Sequence, residues 1–158
     1  MPVRSLRDGT IKIADNSGTG GANVITVAVE EGDLTFTERH PANIILDRGV
    51  LDHARLANQE PVTLSFSMRF QYFYGGGVIN PYEALTKTSG AAAWVSDLAS
   101  TDVYAVVIEF TITDPAGGAS EVLTFGNFIP EEITFTEGDP HDSLSVSGRA
   151  VITAPTVT

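Results

Sequence analysis

The chain contains no cysteine. That single absence removes disulfide frameworks, thiolate zinc sites and cysteine nucleophiles, and it fits folding in a reducing compartment. Long apolar runs are missing as well. No stretch approaches the ~18 residues that a membrane helix requires, and Met1–Thr10, with Arg4, Arg7 and Asp8, offers no signal core. The expectation is a soluble protein made in the cytoplasm, with no membrane partner. At 158 residues, 42% of them hydrophobic, the chain has enough material for one domain with a real core and is too apolar for general disorder.

Positive charge is scarce and lopsided. Residues 1–87 hold eight Lys/Arg against ten Asp/Glu, a net of −2, whereas residues 88–158 hold Arg149 alone against ten acids, a net of −9. Such a surface repels phosphate backbones and excludes sequence-reading nucleic-acid binding. Acidity of this kind keeps a protein soluble, and it also suits a surface past which DNA must travel without sticking.

Recognisable catalytic patterns are missing too. His40, His53 and His141 lie in segments rich in acids or prolines, without the spacing of a His-Glu-x-x-His metal site. Gly-x-Ser-x-Gly is absent, and Gly18–Gly21 lacks the following Lys of a phosphate loop. Asp47 with Asp52-His53, and Asp139 with His141 and Asp142, are oxygen-rich but have no EF-hand framework. Glu30/Glu31 and Glu131/Glu132 sit at strand starts, where alternation sends neighbours to opposite faces and prevents an acid–base dyad. The sequence therefore predicts no enzyme, no catalytic or metal-binding residues and no cofactor.

What the chain does have is repeated period-2 alternation. Strands are expected over Gly9–Ala14, Val24–Val29, Leu34–Thr37, Val62–Tyr72, Val103–Thr113, Glu121–Phe128, Glu131–Glu137 and Ser143–Thr153, with Asn43–Asp47 as an edge strand. Glycine-rich or polar breaks separate them at Asn16–Asn23, Glu30–Asp33, Gly75–Gly77 and Asp114–Gly118. Pro130 is expected to end one strand before the next begins. The segment Arg39–Glu60 reads as a long excursion with a helical turn at Leu51–Leu56. A helical insertion spans 80–99: Asn80 as N-cap, Pro81 at the first position and Glu83 as capping partner open it, and Ala91–Leu98 continues it. Trp94 is expected to anchor the core rather than present a ligand platform. The sum is a single, mainly β domain, an antiparallel β-sandwich or barrel with a short helical insertion packed against it.

One pattern goes further. Leu34-Thr35-Phe36-Thr37-Glu38 returns as Ile133-Thr134-Phe135-Thr136-Glu137, and Leu64-Ser65-Phe66-Ser67-Met68-Arg69 returns as Leu144-Ser145-Val146-Ser147-Gly148-Arg149. Both halves describe a sheet with one dry face and one face of small hydroxyls. Free sheet faces usually carry Lys and Glu that discourage edge-to-edge pairing. Their scarcity points to a face covered or continued by a neighbouring subunit.

Taken together, the β-sandwich pattern, the Asn80-Pro81-Tyr82-Glu83 to Trp94 insertion, the Arg39–Glu60 excursion and the paired Thr/Ser hairpins resemble the tail tube protein family of long-tailed phages, which includes the tube proteins of contractile tails and type VI secretion systems. The resemblance implies homo-hexameric rings stacked into a tube, each subunit lending strands to an inner barrel through which DNA passes without specific binding. It implies a virion location, in the tail, and other tail proteins as partners. Carried over by position, Thr35, Thr37, Thr63, Ser65, Ser67, Thr134, Thr136, Ser145 and Ser147 become the lumen face. The excursion becomes an inter-subunit arm, with Arg39, Asp47, Arg48, Asp52 and Arg55 as its alternating charges. Two other readings fit the same pattern: a carbohydrate-binding or adhesion β-sandwich, and a tail-terminator or joining protein that forms one ring without polymerising.

Overall fold

A computed structural model describes residues 9–16, 23–27, 33–70, 79–98, 102–114, 116–138 and 140–158. Among these residues ten strands are present: β1 (Gly9–Ala14), β2 (Val24–Val27), β3 (Thr35–Thr37), β4 (Ala42–Asp47), β5 (Val50–Leu56), β6 (Val62–Arg69), β7 (Val106–Ile112), β8 (Glu121–Thr136), β9 (Ser143–Ala150) and β10 (Thr156–Val157). Within them an α-helix, α1 (Pro81–Thr86), precedes a 3₁₀ turn at Ser89–Ala91. The protein is mainly β and antiparallel throughout, as alternation predicts. Eight strands form one sheet in the order β2-β1-β7-β8-β9-β6-β3 with β10 beside β8, and β4-β5 make a separate two-stranded hairpin.

The sheet closes over itself through β8. The first half of this strand pairs with β7 (Ile112↔Glu121 to Val106↔Phe128), and the second half pairs with β9 on the other side (Phe128↔Ala150 to Thr136↔Ser143). Two irregularities bend it. Two β8 positions, Gly126 and Asn127, face Val107 alone, and Glu131 is an extra residue between the pairs Pro130↔Gly148 and Glu132↔Ser147. Bulges of this kind kink a strand and increase its twist. Asn127 takes a left-handed φ of 52°, a region asparagine tolerates, and its backbone N–H donates to Asp97 Oδ2 at 2.5 Å. Pro130 does not end the strand, contrary to expectation. It sits where β7 has already stopped, so its missing N–H costs no ladder bond.

The two halves meet in one core. Phe36 of β3 lies 5.1 Å from Phe125 of β8, and Phe66 of β6 lies 6.3 Å from Phe128, measured between ring centroids. Ile11, Ile13, Val106 and Ile108 from one half join Leu64, Phe66, Met68, Leu144 and Val146 from the other in the same buried cluster. On β6 the burial alternates as the sequence requires, Val62, Leu64, Phe66 and Met68 inward, with Phe70 only half-buried beyond the strand end.

The helical insertion begins as predicted. Asn80 Oδ1 accepts from Glu83 N–H at 2.9 Å while Glu83 Oε2 accepts from Asn80 N–H at 3.3 Å, a reciprocal capping box with Pro81 in the first turn. Lys87 ends the helix in a left-handed conformation. The second helical piece over Ala91–Leu98 does not form. Only the 3₁₀ turn and bends follow, because Asp97 and Ser96 are engaged with the backbone just before β7 instead: Asp97 N–H donates to Ala105 O, and Ser96 Oγ accepts from Ala105 N–H. Tyr104 O–H donates to Ala84 O at 2.8 Å and ties this segment to α1. Its phenol is pushed well above its ordinary range, first by burial and then by the nearby Asp15 charge. Residues 17–22, 28–32 and 71–78 lie outside the described residues, so the turns expected at Asn16–Asn23 and Gly75–Gly77 and the ends of the second and sixth strands fall largely there. The last long strand stops at Ala150 rather than Thr153, and the chain then returns to lay β10 against β8.

Trp94 is 2% exposed in the core cluster, and its Nε1–H has no hydrogen-bond partner among the described residues. An orphaned buried donor offsets part of what the ring contributes. Trp94→Ala is expected to lower unfolding free energy by about 3–5 kcal/mol. Trp94→Phe, which removes the orphan while keeping most of the ring, is expected to cost less than half as much, read from urea melts of the two variants.

Candidate functional site

The nine hydroxyl residues singled out in the sequence lie on one face of four adjacent strands, β3-β6-β9 and the second half of β8. Cross-strand pairing sets them in rows. Thr35 pairs with Ser65, Ser65 with Ser147 and Ser147 with Glu132. Thr37 pairs with Thr63, and Thr63 with Arg149. Ser67 pairs with Ser145, and Ser145 with Thr134; the last row is Arg69, Ser143 and Thr136. These side chains are exposed or half-exposed while the alternate residues Leu64, Phe66, Met68, Leu144 and Val146 are buried. Ser67 Oγ and Ser145 Oγ are 3.1 Å apart and share a hydrogen bond across the strands.

Among the described residues, both edges of this patch are open. Within them, β3 is the terminal strand of the sheet, bonded to β6 alone. Among the described residues, Ile129–Thr136 of β8 pair only with β9, so their other edge carries no partner strand. At the β3 end, Asp33 Oδ1 accepts the Ser67 N–H at 2.9 Å and closes that corner of the ladder.

The face is more hydroxylated than acidic. Its charged groups are Asp33, Glu131 and Glu132 against Arg69 and Arg149, so most of the chain's net charge of −11 lies elsewhere. Arg149 Nε donates to Glu131 Oε1 at 2.6 Å and its Nη2 to Glu131 Oε2 at 3.1 Å. That hydrogen bonding, with the adjacent negative charge, raises the guanidinium above its ordinary pKa and occupies the cation of the central rows. Glu131 and Glu132 both border a depression of about 430 Å³ together with Thr35, Ser65, Ser147 and Arg149. Alternation from the sequence assigned these two acids to opposite faces. The bulge at Glu131 overturns that assignment by adding a residue to the strand. They still make no free dyad, because Glu131 is held by Arg149.

The five charges of the expected arm fall on or beside the β4-β5 hairpin. The helical turn expected at Leu51–Leu56 is a strand instead, because Val50–Leu56 pairs antiparallel with Ala42–Asp47 around Arg48-Gly49. Both turn residues have positive φ, 51° and 83°, as a tight two-residue hairpin turn demands. Asp47 and Arg48 lie at the tip, Arg55 on β5 and Asp52 at a bulge, with Asp52 Oδ2 2.6 Å from His53 Nδ1. Arg39 Nη1 meets Glu60 Oε2 at 3.6 Å at the base, where Ala57 N–H also donates to Pro41 O. The structure thus gathers the lumen candidates into one surface and the arm candidates into a second element. Sequence reading missed the bulges and with them the grouping of the two glutamates.

Among the described residues, no group of three or more His, Asp or Glu is placed to hold a metal ion, and no helix is long and apolar enough to cross a membrane. The fold and this surface define a mainly β sandwich protein with an open-edged, hydroxyl-lined sheet face. No protein-family model matches the chain, and neither does any curated protein.

The regularity of the face depends on Gly148. A Cβ there would lie 2.0 Å from Ile129 O and 3.0 Å from Glu131 N, both backbone atoms of the bulged strand. Gly148→Ala is expected to destabilise the protein by about 1–3 kcal/mol, measured by chemical denaturation, with a neutral result contradicting the close approach of β9 to the bulge.

Proposed function

We propose that the protein is a non-enzymatic structural subunit that assembles with copies of itself into rings and, by stacking them, into a phage-type tail tube whose wall is continued from subunit to subunit through the hydroxyl-lined strands. One observation carries this reading: the four-stranded patch has a buried face, a largely hydroxyl-lined face and, among the described residues, two unpaired edges. The outer edge of β3 and the outer edge of β8 belong to opposite sides of the same patch. Pairing one edge with the other on a neighbour is a head-to-tail contact, which closes into a ring when the rotation allows. It would bond the backbone groups that an open edge leaves exposed.

The chemistry of the face suits passage of DNA without capture. Phosphate retention depends on free Lys and Arg. Here the central rows offer Thr and Ser, and Arg149 is bound by Glu131. The rows contain no aromatic residue, which speaks against sugar stacking on this face and so against the adhesion reading.

Negative-stain imaging of the purified chain tests the proposal: hollow tubes are expected. Lone rings would instead favour a terminator or joining role, and a protein that stays monomeric at high concentration would overturn the assembly reading. A second prediction concerns the wall. Ser145→Lys with Thr134→Lys is expected to change monomer stability by no more than about 0.5 kcal/mol, as for other surface substitutions, while making the assembled tubes retain added DNA at low salt and release it at high salt.

A further inference from the structure

The hairpin β4-β5 has two unequal faces. Paired residues share a face, and faces alternate along each strand. Ala42/Leu56, Ile44/Ala54 and Leu46/Leu51 therefore stand on one side, and Asn43/Arg55, Ile45/His53 and Asp47/Val50 on the other. The first set is wholly apolar. The bulge makes it so: strict alternation from Ala54 would place Asp52 opposite Leu46, but the extra residue brings Leu51 there instead. This stripe is bare, with Leu56 90%, Leu51 74%, Ile44 67% and Leu46 55% exposed. A lone two-stranded hairpin is at best marginal in water, and an apolar stripe of this kind marks a surface that is covered in use.

An apolar recess lies at the opposite end of the same molecule. The hairpin leaves the sheet after Thr37 and re-enters it at Val62, the start of β6, whereas the recess begins at Phe70, past the end of β6 at Arg69. Seven strand steps separate these ends, about 23 Å at the usual rise. Phe70, Tyr82, Phe135 and Leu144 line the recess, Glu83 is at its rim, and its volume is about 340 Å³. The Phe70 and Phe135 rings meet edge-to-face at 5.3 Å, yet Phe135 and Tyr82 remain about half exposed.

We propose that the apolar face of the β4-β5 hairpin docks into the Phe70–Tyr82–Phe135 recess of a second copy of this chain, head to tail along the strand direction. Three observations choose that occupant. Hairpin and recess occupy opposite ends of β6, so the hairpin is rooted at the end farthest from the recess of its own chain, and a second copy placed head to tail brings the two together. Both surfaces are apolar. Charge agrees as well: residues 39–60 carry three Arg against Asp47, Asp52 and Glu60, so the whole net charge of −11 lies on the rest of the chain. Two such bodies repel each other, and a neutral segment bearing Arg48 at its tip and Arg55 on its polar face is the part suited to approach an acidic partner. Apolar packing, with the charges on the other face and at the tip, carries the contact. The docking stands apart from the tube reading, since a head-to-tail pair needs no ring.

The lack of native cysteine permits a clean test with the full-length chain. Leu51→Cys mixed with Thr88→Cys, at the rim of the recess, is expected to give an oxidised heterodimer, and Val50→Cys, on the other hairpin face, far less of it. In sedimentation, Leu51→Glu and Tyr82→Glu should each weaken self-association at least tenfold. Their equimolar mixture should recover a 1:1 complex that grows no further, because one intact hairpin and one intact recess remain. Circular dichroism controls for folding of each variant. The proposal is overturned if no cross-link forms, if Val50→Glu weakens association as much as Leu51→Glu, or if Tyr82→Glu leaves association unchanged, the outcome expected of hairpin packing on hairpin. Cross-linking without tubes would remove the tube reading and leave this one standing. Tubes without the cross-link would do the reverse.

Discussion

Strand β8 belongs to two long ladders at once, with the short β10 beside its first half, and the rest of the molecule is arranged around that demand. Its first half must pair with β7 and send Phe125 and Phe128 into the core, while its second half must pair with β9 on the opposite edge. A regular strand running straight through both ladders would carry one flat sheet past the core. Bulges at Gly126–Asn127 and Glu131 bend it within a few residues, and the bend lets Phe36, from the far end of the sheet, reach Phe125. Asp97 holds the first bulge by binding the Asn127 backbone, and with the Asn127 amide nitrogen turned toward it, Asp97 accepts that group too, at 3.0 Å. Gly148 admits the second by having no side chain where Ile129 O approaches.

The same bend creates the open edge. Because β7 and β9 flank different halves of β8, residues 129–136 have, among the described residues, a partner on one side only. An edge of this kind is ordinarily blunted by inward charges or lysine. Here it carries Pro130 near one end, where a missing N–H limits pairing, and Thr134 and Thr136 along the rest. The short β3 at the far side of the patch has similar composition. The β8 edge is thus interrupted by Pro130, the bulge and the two glutamates at its start, and only its Thr134–Thr136 end and the β3 edge are plain.

Much of this was legible in the sequence, and the reasons differ by element. The hydroxyl rows could be read because period 2 is strict on β6 and β9, where one face is buried against the core and a one-residue slip would invert every side chain. The capping box at Asn80–Glu83 could be read because its chemistry is local. The hairpin could not. Its apolar residues come as Ile44-Ile45-Leu46 and Val50-Leu51, runs without alternation, and the bulge at Asp52 erases what period remains. Pro130 misled for a related reason: proline forbids a donor, not a strand, and whether the donor was needed depends on a neighbour far away in sequence. The pairing of Glu131 with Glu132 on one face was hidden by the same bulge. In each case the irregularity is set by tertiary pairing rather than by local preference.

The three bulges also separate two jobs that charge alone would confuse. Composition suggested that acidity lines the surface DNA would pass, yet that face holds only three acids, two arginines and a field of hydroxyls. Of the two arginines there, Arg149 is bound by Glu131, so the cation of the central rows is neutralised locally rather than by accumulated negative charge. Nearly all of the net charge of −11 sits on the remaining body, where it favours repulsion between unassembled copies. Repulsion of that size has to be overcome by local, short-range contacts if copies are to join. Backbone pairing at open edges and apolar packing of an electrically neutral hairpin are both short-range and insensitive to salt, unlike the repulsion they oppose. Assembly should therefore strengthen as ionic strength rises, the opposite of the behaviour expected if the arm's alternating charges held the subunits together.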